Sequence, residues 1–171
     1  MARVRGPMAA ATRAGVRRAV HVSSVAVYGD LRGRITEERW QETSIDRAAF
    51  YASSKRQAKE EAWRHDDKSG LRVVTVRPSV IFGEHDRHVA PRLDRLLRLP
   101  VLPLPAGGRC TPPLVYAGNV AAGIVAALTR EEAAGRAYNL AHDHDVSLAD
   151  LVRTWCGTRG MGVPLMPALP G

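Results

Sequence analysis

The fold class follows from one stretch of the sequence, Leu71-Arg72-Val73-Val74-Thr75-Val76-Arg77-Pro78. Its β-branched residues favour a buried strand, and Pro78 ends that strand because proline has no backbone N–H to donate to a neighbour. Before it, residues 48–68 are rich in Ala, Lys, Glu and Gln and favour a long helix. The alternating residues 19–24 precede that helix and favour another buried strand. Strand, helix and strand in this order predict a βαβ unit of a parallel sheet.

Shorter elements are predicted on both sides of this unit. Towards the N-terminus, residues 7–15 favour a helix, and residues 29–44 are predicted to form a charged loop after the first strand. The chain after Gly157 is rich in Gly and Pro and predicts a flexible tail. Between these segments we expect a short helix over 89–98, an extended proline-rich loop over 100–113, a strand over 114–116, a helix from its N-cap Asn119 to Leu128, a strand over 137–140 and a helix that starts at Ser147.

The composition is that of an ordinary globular protein, since 45% of the 171 residues are apolar and 25% are charged. The longest apolar stretch, Val120 to Leu128, is far shorter than the ~20 residues that cross a bilayer, so no membrane span is expected. Cys110 and Cys156 lie far apart and form neither a disulfide framework nor a C-x-x-C pair, which favours a cytoplasmic protein. The first 29 residues lack acidic side chains, as transit peptides do, but they run straight into the first predicted strand, which favours a surface helix.

The formal net charge of +8 comes mostly from arginines that are spread along the chain. Aromatic residues make up only 5%, so no stacking platform for nucleic acid is expected. An Arg-rich solvated surface explains this charge, and a cofactor or substrate that bears phosphate would also suit it.

Tyr51 and Lys55 lie one helical turn apart on the predicted long helix, so both side chains can share one site. A free tyrosine has a pKa of about 10 and is a poor base at neutral pH, but a nearby ammonium favours its ionised form. Alone, Y-x-x-x-K is a weak motif. In a parallel α/β sheet, however, ligands bind beyond the carboxyl ends of the strands, and the first predicted strand ends at Ser24. We therefore expect Ser24 to hydrogen-bond a substrate oxygen.

Three segments together resemble one family. Ser23-Ser24-Val25-Ala26-Val27-Tyr28-Gly29, Tyr51-Ala52-Ser53-Ser54-Lys55 and Arg77-Pro78-Ser79-Val80-Ile81-Phe82-Gly83 are similar, in order and separation, to motifs of the extended short-chain dehydrogenase/reductases. The resemblance covers about residues 7–155 and implies an NAD(P)-dependent epimerase, dehydratase or reductase. Glu84 after the third segment and the absence of paired aspartates in residues 115–120 favour the hydroxysteroid dehydrogenase-like and dihydroflavonol reductase-like branch over the nucleotide-sugar branch.

The resemblance also implies an α/β fold, here an incomplete doubly wound, Rossmann-type parallel sheet with a small C-terminal substrate region. We expect the catalytic half over residues 1–88 and a substrate-binding region with sheet-completing elements over 89–171. The substrate would be a small molecule, sterol-like, flavonoid-like or a nucleotide sugar, that reacts at a hydroxyl or carbonyl. The implied site residues are Ser24, Tyr51 and Lys55 for catalysis, Tyr51, Lys55, Pro78, Ser79 and Val80 for the nicotinamide end of NAD or NADP, and Val25, Tyr28, His85 and Arg87 for the substrate.

The glycine-rich turn that holds the cofactor pyrophosphate in such proteins is not found before Ser24, because only 18 residues precede the predicted strand at Ala19. The run Gly157-Thr158-Arg159-Gly160-Met161-Gly162 has the wrong spacing for that turn. We therefore expect a truncated chain with an open sheet edge, which a homodimer or a partner chain would cover. Three alternatives stay open: a fragment of a longer enzyme, a split enzyme, and a cofactor-less remnant or interaction module.

Two clusters, His142-Asp143-His144-Asp145 and Glu84-His85-Asp86-Arg87-His88, contain residue types that bind metals. Both fall in predicted loops, and the family resemblance needs no metal, so no metal site is expected. There is also no G-x-S-x-G segment, which disfavours a serine hydrolase.

The purified chain is expected to bind dinucleotide negligibly, because the pyrophosphate turn is missing from its sequence. Titration with NADH and NADPH against the fluorescence of Trp40, Trp63 and Trp155 measures this binding. Saturation at micromolar cofactor would show that the expectation is wrong.

Overall fold

The computed structural model describes residues 2–29, 33–42, 50–66, 70–87, 89–142 and 144–169. Short 3₁₀ helices cover Val25–Tyr28, Glu37–Glu42, Pro105–Gly108 and Glu131–Ala133. In chain order the helices are α1 Ala2–Arg13, α2 Phe50–Trp63, α3 Val89–Leu96, α4 Ala117–Thr129 and α5 Leu148–Thr158, and the strands are β1 Arg18–Val22, β2 Arg72–Pro78, β3 Val80–Phe82, β4 Leu114–Tyr116 and β5 Ala137–Leu140.

The chain forms two units rather than two consecutive halves. The first unit contains residues 1–79 and 118–141, and the second contains residues 80–117 and 142–171. The boundary expected after residue 88 therefore differs from the one in the structure. The reason is that β5 returns late in the sequence to pair with β2, which brings residues 118–141 into the first unit.

The first unit is built on a parallel sheet of order β1-β2-β5. Val22 of β1 lies opposite Val76 of β2, and Val76 lies opposite Tyr138 of β5. Helix α2 connects β1 to β2, so the predicted βαβ unit and the α/β fold class are confirmed. Since all three strands run in the same direction, their carboxyl ends lie along one edge of the sheet.

Apolar layers cover both faces of the central strand. Met8, Ala62, Leu71 and Val73 are buried in one cluster, and Val74, Val76, Ala127 and Ala133 in another. The alternation along β2 sends Val73 to one cluster and Val74 to the other, as the pleat of a strand requires. Because both faces of β2 are buried, its sequence is a nearly continuous run of β-branched residues.

The second unit combines the parallel pair β3-β4 with α3 and α5 around Leu97, Val152 and Cys156. Its C-terminal chain is ordered against the proline-rich loop, where Leu102 N donates to Leu165 O at 2.7 Å and Leu104 N to Pro167 O at 2.9 Å. The prediction of a flexible tail after Gly157 was therefore wrong. Alternating backbone hydrogen bonds hold this segment in place, and local sequence does not show them.

Some element ends also differ from the sequence expectations. Helix α4 begins at Ala117, directly after β4, so Asn119 lies inside the helix and does not cap it. The three-residue strand β3 was not predicted, because Pro78 and Ser79 hid its start. Helix α2 covers the middle of the predicted range 48–68, and residues 48, 49, 67 and 68 lie outside the described residues.

Arg77 is fully buried near the end of β2 and is held by polar partners. Its Nη1 donates to the Tyr28 hydroxyl and, at 3.2 Å, to the Glu37 carbonyl oxygen. The Tyr28 hydroxyl donates to Asn139 Oδ1 at 2.8 Å, and Asn139 N donates to Glu37 Oε1 at 2.8 Å. This network joins β2 and β5 to both 3₁₀ segments that follow β1.

No helix within the described ranges is both long enough and apolar enough to span a membrane.

Tyr28→Phe is expected to lower the free energy of unfolding by about 2 kcal/mol, because it removes a buried acceptor from a guanidinium. Urea denaturation measures the change. The matched variant Tyr138→Phe removes a hydroxyl from a half-buried tyrosine of the same unit and is expected to cost under about 0.5 kcal/mol. Equal losses in the two variants would contradict the role of the network.

Candidate active site

Ser24 lies two residues beyond β1 and caps the 3₁₀ helix Val25–Tyr28. Its Oγ accepts a hydrogen bond from Ala26 N at 3.2 Å, which fixes the side chain. A serine hydroxyl that accepts once still has its own proton to donate and a further lone pair. Ser24 thus presents a positioned hydroxyl group at the carboxyl edge of the sheet, half-buried and available to a ligand.

Tyr51 and Lys55 lie on the first two turns of α2 and share one face of it. Lys55 Nζ is 5.7 Å from the centroid of the Tyr51 ring, and 60% of Tyr51 is exposed. The phenol is therefore open to a ligand, with a cation one turn away.

Arg56 fastens α2 to the segment that contains Ser24. Its Nη2 donates to the carbonyl oxygen of Val27 at 2.8 Å, and Val27 is fully buried. Because Arg56 follows Lys55 and Val27 follows Ser24 by three residues, this bond holds the start of α2 against the 3₁₀ helix after β1. Sequence analysis did not single out Arg56.

His21 on β1 reports the electrostatic field at this edge. Burial, together with the smaller effect of the Lys55 ammonium, lowers the pKa of His21 to about 4. His21 is therefore neutral near pH 7, and Lys55 is close enough to β1 to influence it. Sequence analysis also missed His21, whose one signal is its place three residues before Ser24 on a buried strand.

Two glycines of the family-like segments have backbone conformations that suit glycine. Gly29, with φ 65°, ends the 3₁₀ helix that Ser24 begins. Gly83 has φ 156°, and a Cβ there would lie 3.1 Å from Ala117 Cβ. A side chain at Gly83 would crowd the start of α4 and strain the backbone.

Pro78 and Ser79 end β2 at the same sheet edge as Ser24, since β1 and β2 are parallel with Val22 opposite Val76. Both residues are buried, and Ser79 Oγ has no hydrogen-bond partner among the described atoms. Val80 is 45% exposed and is the first residue of the second unit.

The residues predicted to contact the substrate have different surroundings. Val25 is half-buried beside Ser24, whereas His85 and Arg87 are exposed in the second unit, His85 with a left-handed φ of 62°. Tyr28 is fully buried, and its hydroxyl is engaged by Arg77 and Asn139. The substrate contact expected at Tyr28 stays a prediction, and in the structure its hydroxyl belongs to the Arg77 network.

Within the described residues, no three His, Cys, Asp or Glu side chains are grouped as a metal site would require. His88 and Asp143 of the two clusters noted in the sequence lie outside those residues. Asp86 has a structural role, because its carboxylate accepts hydrogen bonds from Val89 N at 3.0 Å and Ala90 N at 2.8 Å at the start of α3.

Residues 8–141 match the NAD dependent epimerase/dehydratase family, and the chain belongs to that family. This match confirms the resemblance read from the three segments. Among curated proteins, a 4-hydroxy-2-methyl-3-oxo-4-farnesyl-3,4-dihydroquinoline-1-oxide ketoreductase of Stigmatella aurantiaca is 29% identical over 90% of this chain and 46% of its own length. An N-acetyl-alpha-D-glucosaminyl-diphospho-ditrans,octacis-undecaprenol 4-epimerase of Escherichia coli O157:H7 is 28% identical over 86% of this chain and 44% of its own.

Solved structures show the same fold. A UDP-glucuronic acid 4-epimerase of Bacillus cereus in complex with NAD has a TM-score of 0.75 and 20% identity over 97% of this chain and 54% of the other. A short-chain dehydrogenase/reductase superfamily protein of Agrobacterium tumefaciens with bound NAD has a TM-score of 0.73 and 24% identity, over 97% of this chain and 59% of the other. The chain thus spans about half the length of the proteins it resembles.

Lys55→Met is expected to raise the pKa of His21 above its value of about 4 and to leave it below 6.5, because burial is the larger cause of the shift. The titration of the His21 ring protons by NMR measures this change. Lys59→Met, one turn further along α2, removes an ammonium that does not contribute to the shift and is expected to leave the His21 pKa unchanged.

The depressed pKa of His21 also sets a direction for stability. Below pH 6.5 the unfolded chain takes up a proton at His21, whereas the folded chain does so only near pH 4. The free energy of unfolding is therefore expected to fall as the pH drops through this window.

For the Lys55→Met variant, an unchanged His21 pKa would show that Lys55 lies away from β1.

Proposed function

We propose that this member of the NAD dependent epimerase/dehydratase family is the catalytic half of an NAD(P)-dependent enzyme that oxidises or reduces a small molecule at a hydroxyl or carbonyl carbon. Tyr51 would be the general acid/base, Ser24 would hold the reacting oxygen, and Lys55 would stabilise the ionised phenol. One observation supports this most directly: Tyr51 and Lys55 share a face of the helix that Arg56 fastens to the segment opened by Ser24.

The side chains divide the chemistry among them. The exposed phenol of Tyr51 takes the proton of a substrate hydroxyl during oxidation and returns a proton during reduction. Ser24 donates a hydrogen bond to the same substrate oxygen, since its Oγ is already oriented by Ala26 N. Lys55 holds a positive charge beside the phenol, and the neutral His21 adds no second positive charge there.

The residues at this edge fit the nicotinamide end of a dinucleotide. Tyr51 and Lys55 offer a hydroxyl and an ammonium for the nicotinamide ribose, and Ser79 Oγ is a buried polar atom without a described partner beside Pro78. When bound, the nicotinamide would accept hydride from the substrate carbon or return it. The described residues offer no glycine-rich strand–turn–helix for the pyrophosphate, so the fit is limited to the nicotinamide ribose.

A second candidate function is a cofactor-less remnant or interaction module, and the outer edge of β1 favours it. Among the described strands, only β2 pairs with β1, and Val22 at the end of β1 is 43% exposed. An unpaired strand edge with exposed apolar side chains is a surface for another polypeptide. A homodimer or a partner chain that completes the sheet is consistent with either function.

Tyr51→Phe is expected to lower kcat about 10²- to 10⁴-fold, because it removes the group that moves the proton. The assay follows NADH or NADPH absorbance during oxidation of hydroxyl compounds by the chain as its own cells produce it, so that any completing polypeptide is present. Tyr138→Phe is the matched control, since it removes one hydroxyl from a tyrosine of β5.

Two results of this assay would overturn the enzymatic proposal. One is turnover in the wild type that Tyr51→Phe leaves intact, which would place the chemistry elsewhere. The other is the absence of any turnover in the native preparation, which would favour the remnant or interaction module.

A further inference from the structure

The second unit contains an apolar pocket of about 320 Å³. Nine of the ten residues that line it are apolar, and they come from β3, α3, β4 and α5 as well as from the loop before β4. Phe82, Leu93, Leu114 and Leu151 represent these elements. Because several separate elements converge on it, the pocket is a product of the tertiary fold. Its volume lies at the lower end of the range for small-molecule sites, ~300–1,000 Å³.

Trp155 forms a wall of this pocket in a fixed orientation. Its indole Nε1 donates to Asp94 Oδ1 at 2.8 Å, and Arg159 Nη1 donates to Asp94 Oδ2 at 2.9 Å. The Arg159 guanidinium also lies 4.8 Å from the centroid of the Trp155 ring. The indole N–H is thus engaged by protein, which leaves the ring as an apolar surface. Because the Trp155 side chain is already fixed, little side-chain entropy is lost there when a ligand binds.

Arg92 on α3 is the one polar side chain among the residues that line the pocket. It is exposed, and no ion pair or hydrogen bond of its side chain is found within the described parts of the chain. The nearby carboxylate of Asp94 is engaged by Trp155 and Arg159. A positive charge therefore stands at the side of an apolar pocket, and an anionic group on a ligand would complement it.

We propose that this pocket binds the apolar body of a small molecule whose single anionic group faces Arg92. A nucleotide would fit poorly, since its base and ribose carry polar groups and the lining offers them only Arg92. Burial of such groups without partners is costly. The pocket thereby favours an apolar carboxylate, or a similar anion, over a nucleotide.

The test measures binding to the full chain by isothermal titration calorimetry, without cofactor or turnover. The probes are 2-naphthoate, its neutral counterpart 2-naphthalenemethanol, and uridine 5′-diphosphate. We expect 2-naphthoate to bind about fivefold more tightly than 2-naphthalenemethanol, which is the size of the contribution from one exposed charge. Arg92→Gln is expected to remove this difference between the two naphthalenes. Uridine 5′-diphosphate is expected to bind more weakly than either.

Leu151→Trp fills the pocket and is expected to weaken 2-naphthoate binding at least about tenfold. Leu93→Trp on the opposite helix serves if the first variant does not fold, as judged by circular dichroism. The matched control Leu128→Trp changes an exposed leucine of α4 and is expected to leave the affinity unchanged. In the wild type, 2-naphthoate is expected to shift the NMR signal of the Trp155 indole N–H.

Several outcomes would overturn the proposal: unchanged affinity in both pocket-filling variants, equal binding of the two naphthalenes, or tighter binding of uridine 5′-diphosphate. A wild-type dimer that light scattering finds monomeric in Leu151→Trp would show that a second copy occupies the pocket instead.

Discussion

The burial of the Arg77 guanidinium is the constraint around which the first unit is arranged. A charge with no exposed surface is tolerated only where hydrogen-bond acceptors surround it, so the fold must bring acceptors to this point of β2. They come from Tyr28, from the Glu37 backbone and, through Tyr28, from Asn139 on β5. One buried cation therefore ties the neighbouring strand to the two short helices that follow β1. Since Ser24 opens the first of those helices, the same network positions the candidate catalytic hydroxyl.

Helix α2 carries cations with different roles on successive turns. Lys55 faces Tyr51, and Arg56 bonds the Val27 carbonyl oxygen. Lys59 is almost fully buried over the Trp63 ring, and burial, with Arg77 as the next cause, lowers its pKa to about 8. The positive potential at the start of the helix favours an anionic group of a ligand. One turn beyond Lys55, burial lowers the pKa of Lys59 and so disfavours its charged form.

The second unit follows a different physical principle. Its pocket is apolar, and Arg92 is the one charged residue that lines it. Asp94 holds the Trp155 wall of the pocket in place and also binds Arg159. Such a surface selects a ligand by shape and hydrophobic burial, whereas the polar groups of the first unit suit proton transfer. The return of β5 to the sheet places these two kinds of surface in units that alternate along the sequence.

Local sequence patterns were enough to predict the elements that depend on neighbouring residues. The β-branched run before Pro78 required a buried strand, the pairing of Tyr51 with Lys55 followed from the helical repeat, and Ser147 was foreseen as a cap because its side chain can bond the Asp150 N–H. Only the tertiary structure decided which distant groups meet. His21 beside Lys55, Asn139 beside Tyr28 and Leu165 beside Val101 are contacts between residues far apart in sequence. Tyr28 shows the difference most clearly, since its hydroxyl bonds both the buried Arg77 and the distant Asn139, which no local pattern indicates. Local propensity carries no information about such pairings, because they arise only when buried charges and strand edges must find partners in the folded chain.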